Sequence, residues 1–143
     1  SGLDIYTAAQ GIKTFSTGIF ASHWLEMAKT RLYNGDQSAT WTLHRMFRDL
    51  MSILSPICPF FTHHLSTILY GQSAVDIDSF PESPMSDTKS WTDMTEPLVD
   101  FNSVVWKAKK DAGVSLAAPI SGHKVPDSLK DIEQALVSMH KLE

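Results

Sequence analysis

An all-helical bundle is the fold class this sequence predicts, and three observations carry the prediction. Apolar residues recur at three- and four-residue spacing in five successive stretches. Turn-forming residues (Asn34-Gly35-Asp36, Pro56, Gly71, Gly113) stand between those stretches. The chain has 143 residues, 43% hydrophobic and 20% charged. That is the size of one domain and too apolar for wholesale disorder.

The first helix runs from Asp4 to about Tyr33. Ile5, Ala8, Ile12, Phe15 and Ile19 form one stripe, and Phe20, Trp24, Met27 and Ala28 form a second, rotated from the first. Gly18 lies between them, and the helix is expected to continue through it, because one glycine costs only about 1 kcal/mol against alanine. Gly35 then serves as a left-handed stop. Ser38 is the expected N-cap of a second helix, which buries Leu43, Met46, Phe47, Leu50, Met51 and Leu54. Pro56 and Pro59 predict a kink or short loop. A third helix follows over about Pro59–Tyr70 and ends at Gly71. Residues 72–90 read as a long acidic surface connection. A fourth helix spans Asp93–Asp111 through Leu98, Phe101, Val105 and Ala108. Residues 114–126 read as a loop or short extended piece, and Pro126-Asp127-Ser128 opens a last helix through Leu129, Ile132, Leu136 and Met139. The chain therefore reads as a single unit over 1–143, closed by a small loop-plus-helix at 114–141.

Net charge is −4, with a pI near 5.8. The sum alone argues against a nucleic-acid partner, but the acidity is local. Residues 72–100 carry −6 and the remainder +2. No apolar run approaches the roughly 18 residues of a membrane span, and no signal peptide opens the chain. The single cysteine excludes an internal disulfide framework and a multi-thiolate zinc site, which fits a reducing, cytoplasmic setting.

Catalytic motifs are absent. The chain has no glycine-rich phosphate loop, no Cys-x-x-Cys and no His-Glu-x-x-His. Cys58, in an apolar run between prolines, is expected to be a buried structural thiol. His63 and His64 are adjacent, so on a helix they diverge by about 100° and make a poor metal pair. Asp76-x-Asp78 lacks the glycine and distant glutamate of a calcium loop and reads as a solvated turn. No catalytic or metal-ligating residue is therefore assigned.

Cations beside aromatics are the more useful signal. Trp41, Arg45 and Arg48 recur at four and three residues, opposite the apolar stripe of the second helix. On the fourth helix Trp106 lies off the apolar stripe, near Lys107, Lys109 and Lys110. Lys29, Arg31 and Tyr33 close the first helix. These ten residues are the candidate RNA-binding set: cations for phosphates, aromatic faces for unstacked bases. A bland reading stands beside it, in which the cations solvate a helical interaction module.

Longer stretches add a resemblance. IFASHWLEMAKTRLY (19–33) is similar to the Phe-Ala-Ser-His-aromatic-x-Glu-x-x-Lys-x-Arg helix of class I valyl-tRNA synthetases. LSPICPFFTHHLSTILYG (54–71) resembles their Pro-x-x-Pro-Phe-x-Thr segment ending in Leu-Tyr-Gly, and Phe80-Pro81 matches the aromatic-Pro that follows. WKAKKDAGVSLAAPI (106–120) and KVPDSLKDIEQALVSMHK (124–141) resemble the closing part of archaeal-type members. The resemblance covers nearly the whole chain and is to the anticodon-binding domain. Isoleucyl- and leucyl-tRNA synthetases share much of the Pro-x-x-Pro-Phe pattern and are the close competitors.

That resemblance implies an antiparallel helical bundle that docks the anticodon stem-loop of tRNA, the valine isoacceptor above others. It also implies a catalytic domain in the same polypeptide, to which ATP and magnesium belong. No cofactor is expected in this chain. The ATP-binding signatures His-Ile-Gly-His and Lys-Met-Ser-Lys-Ser are missing, and Met85–Ser90 is a superficial echo of the second. Two positions depart from the pattern: His63-His64 stand where an acidic residue is usual, and Thr17-Gly18 where an aromatic is common. The helix that precedes Asp4 in the family is also missing. The Ile5–Phe15 stripe is therefore expected to be exposed and to favour self-association.

Overall fold

The computed structural model describes residues 4–71, 81 and 92–143. Asp4 opens the first helix by accepting from the Thr7 amide at 3.0 Å, which pairs one of the donors a helix start leaves free. This helix, α1, is unbroken to Tyr33. It is α-wound over Ile5–Lys13, π-wound over Thr14–Leu25, and α-wound again over Glu26–Tyr33. Continuity through Gly18 agrees with the sequence; the wide winding is new. The Ser16 and Thr17 hydroxyls donate to carbonyls four residues back, and the Ser22 hydroxyl donates five residues back, to Thr17. Such bonds compete with the α-ladder, and they surround the weakest helix former in the stretch. A wider turn rotates successive side chains by less than the about 100° of an α-helix. Periodicity counted at 3.6 residues therefore misjudges which neighbours this stretch faces.

Gly35, at φ +75°, turns the chain into α2 (Gln37–Leu54). The cap is Asp36 rather than the expected Ser38. Its carboxylate accepts from the Ala39 amide at 3.1 Å and also holds Arg31 at 2.8 Å, so it fixes both sides of the turn. α3 (Pro59–Tyr70) ends at Gly71, φ +66°. Cys58 is exposed, not buried: as the residue preceding the Pro59 start of α3, it belongs to the surface turn rather than to the core. α4 spans Thr95–Asp111. A tight 3₁₀ turn over Asp127–Ile132 precedes α5 (Glu133–His140), where the sequence suggested one continuous helix. Beyond α5 the chain doubles back, and Leu142 forms a parallel bridge with Ile120.

α2 runs back along α1, and α3 back along α2. α4 packs on the π-wound stretch of α1, and α5 on its last turns. Two cores result. Phe20, Leu50 and Met51 centre the first, between α1, α2 and α3. Phe101, Val105, Val125, Leu129 and Leu136 centre the second, between α4 and the closing loop-plus-helix. α1 serves both: Ile12, Phe20 and Trp24 enter the first, with the Phe20 and Trp24 rings stacked at 5.4 Å, and Met27 enters the second. None of Ile5–Lys13 is buried. The acidic connection 72–90, with Asp76-x-Asp78 and Met85–Ser90, lies outside the described residues apart from Pro81. Among the described residues, no helix is long and apolar enough to cross a membrane.

Candidate nucleic-acid interface

α2 is strongly amphipathic, and packing its apolar stripe on α1 turns the opposite face to solvent. Trp41 is 66% exposed, one turn into the helix. Arg45 is half-buried and anchored, its Nε 2.9 and 3.1 Å from the two carboxylate oxygens of Asp49. Arg48 lies over the Tyr70 ring, 5.4 Å from its centroid, and the Tyr70 hydroxyl shares a 3.0 Å hydrogen bond with His44 Nδ1. Burial pushes the Tyr70 phenol up while Arg48 opposes that, so the ring is neutral at physiological pH. His44 and Tyr70 were not sequence candidates. Spacing offered a hint for His44, three residues after Trp41, but none for Tyr70, which reaches this face only because α3 returns along α2.

At the same end of the helical hairpin, Tyr33 is exposed at the close of α1. Arg31 is paired with Asp36, whose carboxyl that guanidinium holds below the usual range. Lys29 is paired with Glu26, which raises the ammonium's pKa. These are surface pairs, worth little to stability and open to exchange with phosphate.

The fourth-helix candidates separate. Lys107 and Lys110 are exposed. Lys109 is fully buried, and its ammonium donates to the carbonyls of Leu116 and His140, each at 2.8 Å. It therefore caps the end of α5 and ties down the loop; it is not a phosphate hook. Trp106 is no open stacking platform either. It is half-buried, with ring centroids 5.3 Å from His23 and 5.8 Å from His140. Sequence reasoning placed both on a solvated face because it had no partner for that face; α1 and α5 cover it.

Between them lies a polar chain that the sequence did not announce. Buried Asn102 donates from Nδ2 to His23 Nδ1 at 2.9 Å, and its Oδ1 accepts from His140 Nε2 at 2.7 Å. These bonds assign Nε2–H to both imidazoles. His140 Nδ1 is buried without a partner among the described residues. Burial, reinforced by the Lys109 and His123 charges, pushes the His140 pKa down to about 4; burial also lowers that of His23. Lys109 is likewise lowered by burial and by Lys141. Asn102 thus joins α1, α4 and α5 through neutral groups, a structural role. Among the described residues no set of three or more His, Cys, Asp or Glu could hold a metal ion.

A family model described as the anticodon-binding domain of tRNA ligase matches residues 1–124. The valine–tRNA ligase of Aeropyrum pernix is 32% identical over 97% of this chain and 18% of its own length. Those of Pyrobaculum aerophilum and Nanoarchaeum equitans are 33% and 29% identical, over 82% and 94% of this chain. The chain spans 16–18% of these three relatives. No solved structure matches it.

Proposed function

The chain belongs to the anticodon-binding domain family of tRNA ligases, and from that premise we propose that it docks the anticodon stem-loop of a valine tRNA. One observation carries the placement of the site: exposed Trp41 stands on the same helix face as Arg48 stacked on Tyr70, at the end of the hairpin that also presents Tyr33 and Arg31. Arginines orient the phosphate backbone there, and Trp41 and Tyr33 offer flat faces to splayed bases. Lys107 and Lys110 add peripheral positive charge. The relatives' names support valine over the isoleucine and leucine alternatives. Aminoacylation, with its ATP and magnesium, belongs in this reading to a catalytic part outside residues 1–143, in the cytoplasm; this domain contributes position and discrimination.

Fluorescence-anisotropy titration of the chain with valine tRNA and with a tRNA of altered anticodon, at several salt concentrations, tests the proposal. Tighter binding of the valine tRNA and a clear salt slope are expected. Equal affinities without a slope would return the helical interaction module. We further propose self-association through the start of α1. There Ile5 and Phe15 are exposed, and Phe15 lines, with Gly11 and Ile12 of α1 and Met46, Asp49, Leu50 and Ile53 of α2, a groove of about 380 Å³. A mass that rises with concentration in sedimentation, and returns to monomer in Phe15→Ser, is the expected result.

A further inference from the structure

Tyr70 closes α3, just before Gly71 leaves the helix at φ +66°. The return of α3 along α2 sets its phenol beside His44, 26 positions earlier in the chain. The hydroxyl lies 3.0 Å from His44 Nδ1, and the two rings meet edge to face, 5.8 Å apart at 73°. A phenol O–H is a stronger donor than an imidazole N–H, and an imidazole nitrogen is a stronger acceptor than a phenol oxygen. The bond therefore runs from the Tyr70 hydroxyl to Nδ1. Filling Nδ1 in this way fixes the tautomer and leaves the proton on Nε2, the ring nitrogen that faces away from the phenol. His44 is exposed, so that N–H is open to a ligand.

At about 100° per residue, Trp41, His44 and Arg48 fall within one arc of roughly 60° on α2. Along it stand an exposed indole, an N–H donor and a guanidinium that lies over the Tyr70 ring. The single carboxylate of α2, Asp49, is about 140° round the helix from His44 and is held by Arg45 at 2.9 Å. A row of donors suits a group that only accepts, and a phosphate oxygen is such a group. We propose that His44 Nε2–H donates to a backbone phosphate of bound RNA, and that Tyr70 is the positioning residue that holds the imidazole in that tautomer and orientation. The proposal rests on the RNA docking reading and adds two residues to it. Trp41 and His44 are three residues apart and adjacent on the helix surface, so a nucleotide stacked on the indole brings a phosphate to the imidazole.

Anisotropy titrations of variants with valine tRNA and with the anticodon-altered tRNA test it. His44→Ala should weaken both about tenfold and alike, since a phosphate carries no sequence information. Tyr70→Phe keeps the ring beneath Arg48 and removes only the hydroxyl, so it should weaken both about threefold. The double variant should bind no worse than His44→Ala, because the hydroxyl acts only through the imidazole. His44→Gln, which keeps a side-chain N–H, should recover most of the affinity. Each variant should melt with the parent. A parent chain that binds neither tRNA would overturn the docking reading and this proposal together. A parent that binds tRNA and is unaffected by His44→Ala would overturn this proposal alone. So would losses that multiply in the double variant, which give Tyr70 a contact of its own, or a loss confined to valine tRNA, which puts a base at His44. A lowered melting temperature in Tyr70→Phe would make the hydroxyl part of the fold and overturn its positioning role.

Discussion

Two helices carry the same signal, a tryptophan with cations at helical spacing, and the fold sends them to opposite fates. On α2, Trp41 and Arg48 stay outside, because α1 and α3 cover only the apolar stripe and its near flank. On α4, Trp106 is half-buried and Lys109 wholly so, because α1 packs on one side and the closing loop-plus-helix on the other. Number of neighbours, not residue type, decides the role. A lysine becomes internal when an aligned pair of carbonyls replaces its water, and Leu116 and His140 supply such a pair.

The sharpest way to break this contrast is Lys109→Ala. It strands the buried His140 carbonyl, frees the part-buried Leu116 carbonyl and leaves a cavity, so a loss of about 3 kcal/mol is expected in urea denaturation. A loss below about 1 kcal/mol would mean that Lys109 reaches solvent as its α4 neighbours do.

Acid should attack the same interior. The folded chain holds His140 neutral down to about pH 4, whereas an unfolded imidazole takes its proton near 6.5. Protonation therefore favours unfolding. Stability present above pH 6.5 should fall progressively toward pH 4, by up to about 3 kcal/mol from this residue, with His23 adding in the same direction. Denaturation midpoints measured across that range check it, and His140→Gln should flatten the slope.

The two tryptophans should then cross over. Trp41→Ala should leave the melting temperature in place and weaken tRNA binding by about 1–3 kcal/mol, the range for a lost base-stacking platform. Trp106→Ala should do the reverse, costing about 2 kcal/mol of stability with affinity unchanged once the protein is folded. Equal RNA losses from both would put the interface back on α4.

How much of this was legible follows from where each residue's partners lie in the chain. The α2 stripe, Gly35, Gly71 and the ends of α3 follow from local rules, and all are where the sequence places them. Asn102 was not legible as a core residue, since its partners, His23 and His140, are 79 and 38 positions away. Lys109 in a last helical turn looks like a cation answering the helix dipole. Only the return of residues 114–140 makes it an internal cap. The π-wound stretch was hidden for another reason: serine and threonine back-bonding changes the winding without changing the apolar pattern. Exposed Cys58 shows a related limit, because an apolar run broken by prolines need not bury each of its members.

The smallest expected effects sharpen what remains of the α4 face. Lys107 and Lys110 are exposed, so Lys107→Ala and Lys110→Ala should each change stability by less than about 0.5 kcal/mol. In the proposed docking their charges add to the field that the RNA meets. Each substitution should weaken valine tRNA and the anticodon-altered tRNA alike, and lower the salt slope by no more than about one. Salt-dependent anisotropy measures this directly. A preferential loss for valine tRNA would mean that a lysine of α4 reads the anticodon loop itself, and the interface would then extend from the hairpin end across to α4.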